Sequence, residues 1–360
     1  MSRLKSAGGV NFLHQSNHFR KFFLFVFLVL VSDVSVVSQT ENPKLAELRR
    51  QLAMNYLKPA PHMALAKYYL DKGERLQAFY ILEYARRARF PEAVFNQAFQ
   101  TFFGATRLPD EKAETIFNRG VEFQRAGNLK QAEESFVKAA ELAPNAAAVQ
   151  TWTGRFFLKV KADKQRALQY YLNAYFLDPH AYETEFVESR IRNINAEASG
   201  IEYRQLMKKG VSPVKILDEV NPTLVFLALT QITAQWKPVY LKPVLDKMSH
   251  DDEQVRWQAT EAIMKNVNRS FDETLRALLK DDDLRKRGLA AYIAIHLWKQ
   301  GSFDALRAML FEKAELLRFD ALSALALKGG NEGLQIIINH RAFETNPTLK
   351  QLIDKTLESS

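Results

Sequence analysis

Histidine is the side chain best suited to acid–base chemistry near neutral pH, because its ordinary pKa lies closest to that range. The sequence contains no cysteine that could act as a thiol nucleophile. None of the histidines belongs to an HExxH motif or has carboxylates at the spacing of a metal site. The sequence also lacks the GxSxG motif of serine hydrolases and the GxxxxGK[ST] motif of phosphate-binding loops. It therefore predicts no catalytic residue, no metal and no cofactor. The histidines are His14, His18, His62, His180, His250, His296 and His340.

Three other local features also have structural interpretations. The acidic run at 281–283 could attract a cation, but its position before a helical segment favours capping of free backbone N–H groups. The glycine pair at 329–330 predicts the end of a helix rather than a phosphate-binding loop. His296 lies in the apolar segment YIAIHLW, which predicts an interior position for its side chain.

The composition is that of a globular helical protein. Of the 360 residues, 47% are hydrophobic and 25% are charged, and apolar and polar residues do not alternate over any sustained stretch. This pattern predicts an all-α fold. The formal charge is +9, with basic and acidic residues interleaved along the chain. Interleaved charges are typical of a solvated surface, so the sequence predicts no nucleic-acid partner.

The first part of the sequence has the pattern of an export signal. In RKFFLFVFLVLVSD, two cations precede ten apolar residues, 22–31, and polarity returns at Asp33. We expect residues 1–38 to be a cleaved signal peptide or an uncleaved membrane anchor, with a buried core helix as a third interpretation. The body of the protein is then expected in the bacterial periplasm or cell envelope. Membrane contact would be limited to residues 22–38, if they are not cleaved.

A pattern of small and aromatic residues recurs at an offset of 35 residues in the first half of the chain. Each copy has a small residue, an aromatic ring, a second small residue and a terminal proline, and a glycine lies in the helical segment before it. Small residues allow close helix approach, rings fill the opposite groove and proline ends the helix. The two sets are Ala132, Phe136, Ala139 and Pro144, and Ala167, Tyr171, Ala174 and Pro179.

These sets resemble the tetratricopeptide repeat (TPR), and the resemblance covers residues 39–180, with a weaker early copy over 66–91. It implies a helical solenoid whose first helices line a groove for a protein or peptide partner. Side chains inside the repeat pattern build the solenoid, so recognition is expected on the preceding helices. The alternative is that the aromatic members of this face only pack between repeats. By position, the facing residues are Phe117, Val121, Gln124, Trp152, Phe156 and Lys159.

A different period follows a charged helical connector, which we assign to residues 181–212. An apolar–arginine pair follows an acidic turn and precedes small residues at Arg256, Arg285 and Arg318, at intervals of 29 and 33 residues. This pattern resembles short HEAT repeats of the type found in bilin-lyase-like proteins, and it implies a second solenoid over residues 213–360. The fold expected for the whole chain is therefore two consecutive α-solenoids.

Two sets of residues in the second half have predicted roles. Arg256, Arg285 and Arg318 are expected to bridge to turn carboxylates of adjacent repeats. Large residues at one equivalent position would form an exposed ladder for a partner, or be buried under the connecting loops. The equivalent position holds Phe226, Trp257, Lys286 and Phe319, and the three aromatic residues are the candidate contacts.

These observations favour a non-enzymatic scaffold, exported or membrane-anchored, that binds another protein through TPR-like and HEAT-like surfaces. An alternative is a lyase-like or accessory factor for an enzyme acting on a chromophore or a modified polypeptide. A purely structural role in envelope assembly is not distinguished from the first interpretation by the sequence.

Overall fold

The computed structural model describes residues 42–88, residue 98, and residues 111–177 and 184–358. The predicted signal or anchor, 1–38, lies outside the described residues. Contacts between Cα atoms divide the chain into two compact units after Ala46, and the larger unit is Glu47–Ser360. Only residues 42–46 of the smaller unit are described, and the first described helix begins among them, at Pro43. The fold and site below concern the larger unit.

Helices make up most of the described residues, which contain no β-strand, so the predicted all-α fold with consecutively packed helix pairs is confirmed. Among these helices, none has the length and apolar character needed to cross a membrane. In the first half the helices are α1 Pro43–Met54, α2 Pro59–Asp71, α3 Arg75–Ala88, α4 Glu111–Arg125, α5 Leu129–Leu142, α6 Ala147–Lys159, α7 Lys164–Leu177 and α8 Thr184–Lys208.

The second half continues with shorter helices, and three single 3₁₀ turns separate some of them. Its α-helices are α9 Pro213–Ile216, α10 Pro222–Ala234, α11 Leu241–Lys247, α12 Glu253–Asn266, α13 Asp272–Leu278, α14 Leu284–Trp298, α15 Phe303–Leu310, α16 Glu315–Lys328, α17 Gly330–His340 and α18 Pro347–Glu358.

Turn and cap residues explain where several of these helices begin. Gly73 and Gly127 have positive φ values of 79° and 78°, which L side chains rarely adopt, and they close the α2–α3 and α4–α5 turns. Asp252 accepts a hydrogen bond from Val255 N at 3.1 Å to cap α12. Asp283 accepts one from Arg285 N at 2.9 Å to cap α14, which confirms the capping interpretation of the acidic run.

The helices pack mainly as neighbouring pairs. In the first half, α2 packs on α3, α4 on α5 and α6 on α7, and α7 also contacts α8. In the second half, α10, α12, α14 and α16 contact one another in succession and form a layer, against which α11, α13 and α15 pack. This arrangement is compatible with a helical repeat protein, in which each hairpin buries its apolar face against the next.

The first hairpin, α2–α3, packs against α7 and α8. Phe79 of α3 and Tyr175 of α7 are fully buried, and their ring centroids lie 4.8 Å apart in a T-shaped arrangement. Burial of each such ring contributes roughly 1.5–3 kcal/mol. Asn195 of α8 donates a hydrogen bond to the hydroxyl of Tyr80 at 3.0 Å. The early hairpin is therefore fixed to a part of the chain about a hundred residues further on.

Candidate functional site

The two clear repeats of the first half share one close contact. A Cβ atom at Gly120 would lie 3.2 Å from the Phe136 ring, and one at Gly154 would lie 3.1 Å from the Tyr171 ring. Both distances are tighter than ordinary van der Waals contact, so glycine is needed for the helices to approach. The contacts join α4 to α5 and α6 to α7 in the same way. They make the two hairpins equivalent and define which faces of α4 and α6 point away from the seam.

The predicted groove residues of α4 range from half-buried to exposed. Phe117 and Val121 are half-buried, and Gln124 is exposed. The Phe117 ring lies 5.3 Å from that of Phe136 in a T-shaped arrangement, so part of this side chain packs within its own hairpin. Val121 and Gln124 extend the same face toward the α4–α5 turn.

The three predicted groove residues of α6 differ more widely in their exposure. Trp152 is 47% exposed and Lys159 is also exposed, whereas Phe156 is only 2% exposed. The ring of Phe156 lies 5.0 Å from that of Phe136, inside the core between the hairpins. For Phe156 this is the packing alternative raised by the sequence, and the side chain does not line an open face. Trp152 and Lys159 remain accessible.

An aromatic–arginine ladder extends from Trp152 to the neighbouring helix α8. The guanidinium carbon of Arg155 lies 4.7 Å from the Trp152 ring centroid and 4.5 Å from that of Phe186. The guanidinium carbon of Arg190 lies 4.8 Å from the Phe186 ring centroid. Each separation is within the range of a cation–π interaction. We call Trp152, Arg155, Phe186 and Arg190 the α6–α8 ladder.

The large residues predicted as a ladder in the second half are all half-buried. Trp257 packs edge-on against Tyr292, with ring centroids 4.6 Å apart. The ring of Phe319 lies 5.7 Å from that of Tyr56, which follows α1 in the first half of the chain. Phe226 is half-buried on α10. Phe319 is thus partly covered by the chain's own first half, and the row is not a continuous exposed surface.

The three predicted arginines of the second half make different contacts. Nη1 of Arg285 lies 2.6 Å from Oδ1 of Asp251, and Asp251 belongs to the turn before α12. Nε of Arg318 donates to Glu344 in the following turn at 3.0 Å. Arg256 donates instead to backbone carbonyls of its own turn, those of His250 and Asp251 at 2.8 and 2.9 Å. Two of the three arginines therefore link successive hairpins, and the third stabilises its own turn.

Asp251 is the centre of a buried polar cluster that also includes first-half residues. Besides Arg285, its carboxylate accepts two hydrogen bonds from Arg49, at 2.9 and 2.6 Å, and one from the Tyr69 hydroxyl. Burial acts to raise the pKa of Asp251, but the charges of Arg285 and Arg49 outweigh it and hold the pKa well below its usual range. Asp251 is therefore ionised and joins α1, α2 and α14.

Two small cavities flank this cluster, each with a volume of about 20 Å³. One borders His62, Asp251 and Arg256, and the other borders Trp257 and Phe319. A volume of that size accommodates about one water molecule. These cavities belong to the packing between the halves and are too small for an organic substrate.

Three buried titratable groups surround the cluster. Burial lowers the pKa of His62 to about 4 and that of His250 to about 4, so both rings are neutral. Burial raises the pKa of Asp252 to about 6. His62 Nε2 is 2.8 Å from the carbonyl oxygen of Tyr56, and neutral His62 donates this bond. Among the described residues, no group of histidine and carboxylate side chains is arranged to hold a metal ion.

The interior position predicted for His296 is wrong, because its side chain is exposed. Although it lies in an apolar helix, it occurs near the end of α14, where the burial of the preceding residues stops. His296 borders an open cleft of about 560 Å³ together with Lys299 and Lys328. The cleft is a surface feature between the ends of α14 and α16.

The sequence reasoning identified Trp152 but missed the other three members of the α6–α8 ladder. The available signal was the helical spacing of aromatic and arginine residues, three apart at Trp152 and Arg155 and four apart at Phe186 and Arg190. Asp251 was also missed, because nothing local distinguishes it from the other turn carboxylates.

Neither a protein-family model nor a curated protein matches the sequence of the chain.

Proposed function

We propose that the protein is a non-enzymatic scaffold that binds a segment of a partner protein on the face formed by α4, α6 and α8. The single observation that carries this proposal is the exposure of Trp152, which is 47% accessible beside the buried seam of its hairpin. A large aromatic side chain in an accessible, ordered position is a typical anchor of protein interfaces. Gln124 and Lys159 provide polar contacts on the same face.

The resemblance to known repeats supports the same function. The equivalent contacts of Gly120 with Phe136 and of Gly154 with Tyr171 are those expected of tetratricopeptide repeats, in which the first helices face a partner. The contacts of Arg285 and Arg318 with turn carboxylates of adjacent hairpins are compatible with HEAT-like repeats. Repeat proteins commonly use extended surfaces rather than deep pockets for recognition.

The second half is proposed to hold α1–α3 in place and to offer a smaller contact surface. Phe226 and Trp257 are still partly accessible and are candidates for that surface. Phe319 contributes to packing against Tyr56 instead. In this proposal the partner is a protein, no nucleic acid or cofactor is bound, and the alternative lyase-like role stays a prediction that no observation on the described helices favours.

The proposed location is the periplasm or cell envelope, based on the pattern of residues 1–38. Fractionation of the native host, followed by determination of the mature N-terminus, tests it. Cleavage is expected to leave Gln39 first, and an uncleaved anchor to leave the full chain in the membrane fraction. Recovery of full-length protein only in the cytosol would refute export and anchoring together.

Site-specific photocrosslinking tests the binding face. A photoreactive side chain replaces Gln124, which is exposed on the same face, in one variant of the full chain and Leu327, which is 70% exposed on α16, in the control. We expect a discrete crosslinked partner from position 124 that is absent from position 327. The same crosslinks from both positions in intact host cells, or no crosslink from position 124, would overturn the assignment of the face.

A further inference from the structure

We propose that the α6–α8 ladder recognises an acidic protein segment, in which carboxylate side chains alternate with apolar ones. This inference rests on the proposed function and specifies its partner. The ladder lies at the helix pair where Trp152 is exposed, and Lys159 lies two helical turns further along α6. Aromatic and cationic groups therefore occur together on one accessible face.

Stacking positions the guanidinium group of Arg190 for binding. Arg155 lies over both Trp152 and Phe186, and Arg190 also lies over Phe186. A guanidinium that is stacked by its face keeps its N–H donors in the plane of the group, the geometry that binds a carboxylate with two hydrogen bonds. Because the side chains are held by the rings before the ligand arrives, less rotamer freedom is lost on binding.

The charge balance of this face also points to an anionic ligand. Nearby cations of the same hairpin are paired with carboxylates: Lys161 and Arg166 each lie 2.7 Å from a Glu133 oxygen. In the part of the chain that the structure describes, neither Lys159 nor Arg190 forms an ion pair. An acidic segment would supply the missing counter-charges.

The ring contacts favour a polypeptide over single-stranded nucleic acid. Binding of bases without sequence preference relies on aromatic rings with accessible faces on which successive bases stack. Phe186 already carries two guanidinium groups, and Trp152 carries one. Carboxylates need only the N–H donors of Arg190 and Lys159, and apolar side chains can contact the exposed part of Trp152.

Peptide binding to the full-length chain tests the inference. The probe is a fluorescein-labelled peptide of alternating glutamate and leucine, and the matched control peptide has glutamine in place of each glutamate. We expect saturable binding of the glutamate peptide, weaker at high salt, and at least about tenfold weaker binding of the glutamine peptide. Fluorescence anisotropy measures both affinities.

Variants assign the binding to the ladder. Lys159→Glu and Arg190→Gln are each expected to weaken binding of the glutamate peptide about tenfold, while Lys350→Glu, an exposed charge change on α18, is expected to leave it unchanged. Thermal unfolding of each variant checks the fold. Since Lys159 is exposed and unpaired among the described residues, Lys159→Glu keeps the test decisive even if Arg190→Gln is unstable.

Several outcomes would overturn the inference. They are equal binding of the two peptides, an unchanged affinity in folded Lys159→Glu, or preferential binding of an oligothymidylate or of phosphatidylglycerol vesicles. If the glutamate peptide does not bind but position 124 still crosslinks a discrete protein, the acidic partner is refuted and the scaffold function stands. Loss of both results refutes the two together.

Discussion

Arg49 and Asp251 lie 202 positions apart in the chain, yet Nη2 of Arg49 is 2.6 Å from Oδ2 of Asp251. Arg49 belongs to α1, and Asp251 belongs to the turn before α12. The contact is bidentate, because Nε of Arg49 also donates a hydrogen bond to Oδ1 of Asp251 at 2.9 Å. A bidentate arrangement of this kind fixes orientation as well as distance. The first and second halves of the larger unit are therefore joined by an ion pair between half-buried Arg49 and buried Asp251, and by its neighbours.

We expect Asp251→Asn to destabilise the protein by roughly 3–5 kcal/mol, because it leaves Arg49 and Arg285 without a compensating negative charge in a buried site. Urea unfolding followed by circular dichroism measures the free energy of unfolding. The matched control is Asp246→Asn, an exposed carboxylate 3.2 Å from Lys242, which is expected to cost under about 1 kcal/mol. Equal effects of the two changes would show that Asp251 does not join the halves.

Gly154→Ala is expected to destabilise the first half by about 1–3 kcal/mol, because the added methyl group meets the buried Tyr171 ring at 3.1 Å. The control is Gly200→Ala in α8, where the nearest atom to the new Cβ is the end of the Arg204 side chain at 3.6 Å. There, alanine should stabilise the helix by up to about 1 kcal/mol. Changes in the same direction at both sites, measured by thermal unfolding, would contradict the close-packing explanation.

Phe156→Ala and Trp152→Ala should separate a core residue from a surface residue on one helix. We expect about 3–5 kcal/mol of destabilisation from Phe156→Ala, since its ring is 2% exposed and contacts Phe136. Trp152→Ala should cost about 1 kcal/mol or less while abolishing the crosslinked partner. Partner loss from a fully stable Phe156→Ala variant would instead place that ring in the interface.

His62→Gln is expected to flatten the dependence of stability on pH between 6.5 and 4. The pKa of His62 is lowered to about 4 by burial, from an ordinary 6.5. The unfolded chain therefore binds a proton first as pH falls, and the stability present above pH 6.5 is lost toward pH 4. The full difference corresponds to roughly 3 kcal/mol. Glutamine can keep the hydrogen bond to the Tyr56 carbonyl, so the free energy of unfolding at pH 7 should change less than its pH dependence does.

Urea unfolding at half-unit pH steps measures this effect as the difference between the wild type and His62→Gln. His250 contributes with the same sign, because its pKa is also lowered to about 4. Asp252 acts in the opposite direction: its pKa is raised to about 6, so the folded state gains stability as pH falls from about 6 toward 3.8. Both contributions are common to the two proteins and cancel in the difference. Parallel curves would show that His62 is not buried in its neutral form.

The sequence alone determined the helical class and the small–aromatic seam of the hairpins. Gly120, Phe136, Gly154 and Tyr171 could be assigned from spacing, because a helix has a fixed period and so fixes which side chains share a face. The capping role of Asp283 was predictable for the same reason, since a cap acts within three residues. Such interactions are local, and local pattern is what a sequence displays directly.

Only the tertiary structure decided which distant surfaces meet. Asp251 contacts Arg49, Tyr69 and Arg285, and these contacts depend on how whole helices dock. The exposure of His296 depends on the same docking. The periodicity of any one helix does not contain that information. The α6–α8 ladder likewise requires two helices to place aromatic and arginine side chains at the same level along their axes. Docking depends on buried contacts between residues far apart in the chain, so neither α6 nor α8 alone indicates that the ladder forms.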